Sequence, residues 1–398
     1  MDKRYLIIIG VITGLIIIGL IAFWIFRATA PETAPAPTGS PFPSGAKMPA
    51  QPTTPTTPIP TIPAGELKQL TQLTQKPVSG ATFISSTTTK QVVRYFEKAT
   101  GHIYDIDIQK GESSRISNTT IPGIFDVHWL KNGEQAIIRY IENNETGVED
   151  AVRNFIITSI SATSTRGIFL SSDIKTVAAS PKGDKIFYLS PYDGLNFGIT
   201  ATPDNKKQKQ VLSIPFGEFL AYWPSDRAIT LLTKPSAGAK GYFYKLDSTT
   251  SYFDKILGSI AGLTALLSPD GENVIYSEGN SQVIKTYIYN IKENKSSPLA
   301  LITMPDKCVW SKVKKEIIYC AVPASIPGGT YPDDWYQGLI SFSDRIWKID
   351  ISNGSTEIIS AENNQNFDFI NPFLSKDENY IFFQDKKDGT LWSLKMSS

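Results

Sequence analysis

Along most of this chain a short apolar run meets a tight polar turn, and a second apolar run follows. The clearest copy spans Leu266 to Lys292. It opens with Leu266-Leu267, turns at Ser268-Pro269-Asp270-Gly271-Glu272 and resumes as Val274-Ile275-Tyr276. After a polar gap around Gly279-Asn280 comes an alternating run, Tyr287-Ile288-Tyr289-Asn290-Ile291. Proline presets φ for the turn, Asp bonds its own backbone and Gly accepts positive φ. The aromatic and β-branched runs suit pleated strands, and no helical period competes with them.

The same unit recurs. Phe83-Ile84-Ser85 leads to Val92-Val93-Arg94-Tyr95-Phe96, and His128-Trp129-Leu130-Lys131-Asn132-Gly133 leads to Ile137-Ile138-Arg139-Tyr140. Ala179-Ser180-Pro181-Lys182-Gly183-Asp184 leads to Ile186-Phe187-Tyr188, and Tyr222-Trp223-Pro224 leads to Ile229-Thr230-Leu231. Val309-Trp310-Ser311 leads to Ile317-Ile318-Tyr319, and Phe373-Leu374-Ser375-Lys376-Asp377 leads to Tyr380-Ile381-Phe382. These copies fall roughly 43–50 residues apart, with one wider step of about 64 before the last, a period that points to propeller blades. Third strands such as Tyr242-Phe243-Tyr244 and Ile346-Trp347-Lys348, and more polar fourth strands such as Glu357-Ile358-Ile359, complete a WD40-like four-strand repeat. The pattern predicts an all-β fold, a single β-propeller of four-stranded antiparallel blades over residues 66–398. Seven blades are favoured, with six or eight the neighbouring counts. A β-sandwich is the competing plan, but even spacing over about 330 residues would be unusual for one.

The Ser-Pro-Asp-Gly turn, the apolar strand after it and the aromatic strand ending near Asp resemble the TolB-type propeller repeat. That repeat is similar to the propeller domain of dipeptidyl peptidases. The Leu266 and Ala179 copies carry the motif best. The resemblance implies the fold and leaves activity open, because this fold hosts many functions. No Gly-X-Ser-X-Gly elbow is present, so the hydrolase half of a dipeptidyl peptidase is not expected.

The last copy ends just after its third strand, leaving an outer strand to be supplied from elsewhere. Leu67 and Leu70 lie in a polar-apolar segment before the first copy. Pairing of Leu67 to Thr71 with Thr390 to Lys395, which contains Leu391 and Leu394, would close the ring and cover an open edge. Cys308 and Cys320 sit on the two arms of one predicted hairpin, symmetric about Lys314. Directly opposed positions approach disulfide range, so a bridge is expected, with two buried thiols as the alternative.

At the start of the chain, Asp2-Lys3-Arg4 precedes an uncharged run from Tyr5 to Phe26 that ends at Arg27. About 22 apolar residues suffice to span a bilayer as one helix, and the flanking charges favour a cytoplasmic N-terminus. The expectation is therefore a transmembrane signal anchor over residues 1–27, with a single-pass protein in the cell membrane and an extracytoplasmic propeller. A cleaved signal peptide is the competing reading, since Ala28-Thr29-Ala30 has the small residues of a cleavage site. Residues 28–65, dominated by Pro, Thr, Ala and Ser, read as a disordered tether.

Charge is nearly balanced, with 39 basic and 38 acidic residues, which disfavours a nucleic-acid-binding surface. Two histidines and scattered acids offer no metal or cofactor motif, so neither is expected. His128, adjoining Trp129 on a predicted inner strand, reads as a packed or hydrogen-bonded core residue, with a catalytic base as the alternative. One loop stands out: the long insertion in the sixth copy holds Tyr331, Asp333, Asp334, Trp335 and Tyr336, aromatic and acidic side chains suited to holding a sugar, a peptide or a cation. Packing of these rings as a stabilising lid is the alternative. The functional expectation is a monomeric, membrane-anchored module that binds a protein or envelope polymer, leaning away from an enzyme. The alternative is an extracytoplasmic propeller enzyme resembling a glycosidase, lactonase or quinone-dependent dehydrogenase.

Overall fold

A computed structural model describes residues 70–87, 90–142, 151–160, 165–360 and 366–396. These form seven four-stranded antiparallel sheets. In the first six, strand order from the inside outward follows chain order. The seventh holds Phe369–Leu374, Tyr380–Asp385 and Leu391–Lys395, and its outer strand is Leu70–Gln72 from the other end of the described chain. Leu70 lies opposite Leu394, Thr71 opposite Ser393 and Gln72 opposite Trp392. The closure continues past the strand: the Leu73 N–H donates to the Leu391 carbonyl at 2.7 Å, and the buried Leu391 N–H donates to Thr74 Oγ1 at 3.0 Å. Leu67 lies outside the described residues.

In the turns one hydroxyl bridges a backbone N–H and a nearby carboxylate. Ser268 Oγ accepts the Asn273 N–H at 2.9 Å while donating to Asp270, and Gly271 takes φ of 76°. Ser180 does the same between Lys185 and Asp184, and Ser375 between Tyr380 and Asp377. Between blades, apolar faces meet. Leu394, Phe383, Phe369 and Ile381 pack with Ile317 and Ile346 of blade 6, whereas Leu391 and Phe382 pack with Val93 and Ile106 of blade 1. Cys308 and Cys320 are directly opposed, with Cα atoms 4.1 Å apart, and form a disulfide.

The membrane expectation is corrected. Among the described residues no helix is long and apolar enough to cross a membrane. The segment Tyr5 to Phe26 and the tether over residues 28–65 lie outside the described residues. The single-pass topology, the membrane partner and the extracytoplasmic placement therefore have no structural support and are not carried forward.

Candidate functional site on the channel wall

The first strands of blades 1 to 4 touch in succession, and those of blades 6, 7 and 1 do likewise, as expected of strands that line the central channel of a propeller. In blade 2 this strand is Ile124–Leu130. Its pairing with the second strand, Gln135–Glu142, slips between Ile124 and Asp126. That bulge leaves Phe125 unpaired and 44% exposed, the kind of re-aiming a bulge provides. Asp126 and His128, two residues apart, share one face of the strand.

Their side chains meet. His128 Nε2 lies 3.2 Å from Asp126 Oδ2, and Arg139 Nη1 donates to the same oxygen at 3.3 Å. Arg139 sits directly across the ladder from Asp126. Its Nε donates to Asn154 Oδ1 at 3.1 Å, and the fully buried Asn154 is held in turn by the Ser171 and Ile174 carbonyls. The guanidinium also lies 5.2 Å from the centre of the Phe125 ring. Burial works against both charges of the His–Asp pair. For Asp126, the neighbouring His128 and Arg139 outweigh it and hold the carboxyl well below the usual carboxylate range. For His128, burial is outweighed by Asp126, which lifts the imidazole above its ordinary value. The side chains of His128 and Asp126 remain about a quarter and a third exposed. The cluster is thus charged, fixed from behind and open to solvent in front. His128 is therefore hydrogen-bonded on the inner strand, with Asp126 as its partner.

The insertion in blade 6 is placed differently. Tyr331 and Trp335 are buried with Ile284, Met304 and Phe342. Asp333, opening the single-turn helix Asp333–Tyr336, accepts from Ser236 Oγ and the Ala237 N–H, both at 2.7 Å, which ties the loop to blade 4. Asp334 accepts the Thr330 N–H within its own loop. Tyr336 alone among the five keeps substantial exposure, and its hydroxyl donates to Asp306 Oδ1 at 2.8 Å. Asp306 borders a cavity of about 140 Å³ lined also by Leu220, Tyr222 and Leu266. Burial pushes its carboxyl up, against the pull of the Tyr336 hydroxyl. Among the described residues no group of three or more His, Cys, Asp or Glu side chains could hold a metal ion.

No family model matches this chain, and no curated protein matches it. Solved structures do. An oligogalacturonate lyase in complex with manganese aligns at 11% identity and a TM-score of 0.54, over 83% of this chain and 94% of that one. An oligogalacturonate lyase from Vibrio parahaemolyticus aligns at 10% identity and a TM-score of 0.51 over the same shares. The tricorn protease aligns at 10% identity and a TM-score of 0.50, over 84% of this chain and 34% of that one. At such identities the likeness is one of fold: a seven-bladed propeller shared with several distant propellers, which does not single out the TolB-type repeat. The expectation of a membrane-anchored binding module is corrected at its anchor, which has no support among the described residues.

Proposed function

We propose that this chain is a propeller enzyme whose acid–base centre is the Asp126–His128–Arg139 cluster on the channel wall of blade 2. The observation that carries the reading is one partly open imidazole, paired with a carboxylate, beside an arginine fixed by a buried amide. An imidazolium within reach of solvent can protonate a leaving group, and the Asp126 carboxylate favours that charged form against the effect of burial. Arg139 and His128 together outweigh Asp126 by one positive charge, which favours a substrate bearing a carboxylate or another oxyanion. Phe125 offers a flat apolar face for a sugar or peptide beside it. The reaction class is acid–base bond cleavage, by hydrolysis or elimination. The exposed ring of Tyr336 is read as a further substrate contact. The Ser-Pro-Asp-Gly turn of blade 5 supports reading the blades as TolB-type repeats.

Turnover by the full chain should be measured on uronate oligosaccharides, aryl glycosides, aryl esters and peptides. The reading expects activity on at least one anionic substrate, with a loss of about 10²-fold or more in His128→Gln, as for removal of a general acid. Absence of turnover across the panel, or turnover unchanged in His128→Gln, would overturn it.

A further inference from the structure

A lysine without solvent contact lies beneath the blade 6 insertion. Lys307 ends the short 3-10 turn Pro305–Lys307, just ahead of the blade 6 inner strand Cys308–Trp310. Its Nζ donates to Asp344 Oδ2 at 2.6 Å and also to Asp368 Oδ1. All three side chains are fully buried. The rings of Trp335 and Phe342 flank the ammonium, with centres 5.0 and 4.9 Å from Nζ. Two acids and one amine share a pocket where charge is costly.

The two acids differ. Asp368 is held from outside: Trp335 Nε1 donates to Oδ2 at 3.0 Å, and the Phe342 N–H donates there at 3.1 Å. That arrangement of donors suits a carboxylate anion. Asp344 takes Lys307 and the Phe369 N–H on one oxygen only, Oδ2. Its other oxygen, Oδ1, is buried and receives no hydrogen bond. Burial raises Asp344 above the ordinary carboxyl value, with Lys307 opposing. With both donors on Oδ2, a proton on Asp344 has only Oδ1 to occupy.

We infer that Lys307 and Asp344 condense into an intramolecular amide cross-link, with Asp368 as the proton acceptor. The ammonium gives one proton to the Asp368 carboxylate. The freed Nζ attacks Cγ of the neutral Asp344 acid, forming the N–C bond. A second proton passes from nitrogen to the Oδ1 hydroxyl, the Cγ–Oδ1 bond breaks and water leaves. One ammonium, one acid and one carboxylate become one amide, one water and one acid, with no change of oxidation state. Two features favour the step. Contact between amine and carboxyl replaces a bimolecular encounter, and the dry aromatic pocket favours neutral reactants over ions. The product also removes the buried ammonium. Blade 6 would then be tied covalently across its first three strands, because Cys308, next to Lys307, is already bonded to Cys320 on the second strand and Asp344 begins the third.

The test is the intact mass of the soluble full chain, denatured and reduced, followed by tandem mass spectrometry of its digest. The inference expects a mass lighter than the reduced sequence by one water and a branched peptide joining Lys307 to Asp344. Lys307→Arg and Asp344→Ala should show the full mass, and Asp368→Asn should remain largely uncondensed. An unmodified wild-type mass after prolonged incubation at neutral pH would overturn the inference. So would a branched peptide joining Lys307 to Asp368, which would refute the assigned roles.

Discussion

The strand Leu391–Lys395 seals two interfaces at once, which makes it the most sensitive place to perturb the ring. Leu394 is fully buried on one face, against Ile317, Ile346 and Phe383 of blades 6 and 7. Leu391 is fully buried on the other, against Val93 and Ile106 of blade 1. Leu394→Ala removes the three-carbon isopropyl end of a packed side chain. At about 0.8 kcal/mol per buried carbon the transfer term is about 2.5 kcal/mol, and the residual cavity raises the cost to about 3–4 kcal/mol. Leu391→Ala removes the same group from a separate cluster and should cost a similar amount.

The two sites share no core partner, so the double variant reports on cooperativity. If the seven blades unfold as one unit, the costs add to about 6–8 kcal/mol, within roughly 0.5 kcal/mol, as for independent sites. Urea denaturation followed by tryptophan fluorescence and far-UV circular dichroism would give each value, with the slope of the transition as a control. A single-site cost below about 1 kcal/mol would show the strand to be peripheral. Transitions that separate by probe would show that the ring opens blade by blade, and the closure argument would fail.

Three other outcomes are expected. Thr74→Val leaves the buried Leu391 N–H without its acceptor and should cost about 1–3 kcal/mol in the same denaturation assay. Replacing Cys308 and Cys320 together with Ala opens a short loop, with a sequence separation of 12, and should lower stability by about 3 kcal/mol. The raised pKa of His128 means that its pairing with Asp126 stabilises the fold fully below the ordinary histidine value, and that this contribution is lost as pH rises through the folded value. An imidazole NMR titration should show the elevated midpoint, and Asp126→Asn should drop it below the ordinary value, because burial then acts without its counter-charge.

The blades are legible in the sequence because a turn such as Ser268-Pro269-Asp270-Gly271 is local. Its hydroxyl, carboxylate and glycine act within a few residues, so the chain announces each hairpin on its own. The opposed cysteines and the missing outer strand are legible for a related reason: register follows from counting along a hairpin, and an open edge demands a partner. The chemistry is not local. Asp126 and His128 lie close in sequence, but Arg139 reaches them only through a register that slips at Phe125, and Asn154 comes from the next strand again. An alternating strand with Asp and His two apart is the one signal that points there, and a single histidine beside a tryptophan masks it as core. Lys307 is hidden more deeply. Asp344 and Asp368 come from a third strand and from the start of another blade, and the aromatic wall comes from the insertion that precedes Asp344. The rings in that insertion look in sequence like a surface for a ligand. In the fold Trp335 and Phe342 flank the Lys307 ammonium, with Tyr331 in the same cluster, and Trp335 Nε1 gives Asp368 the donor that water would supply at the surface.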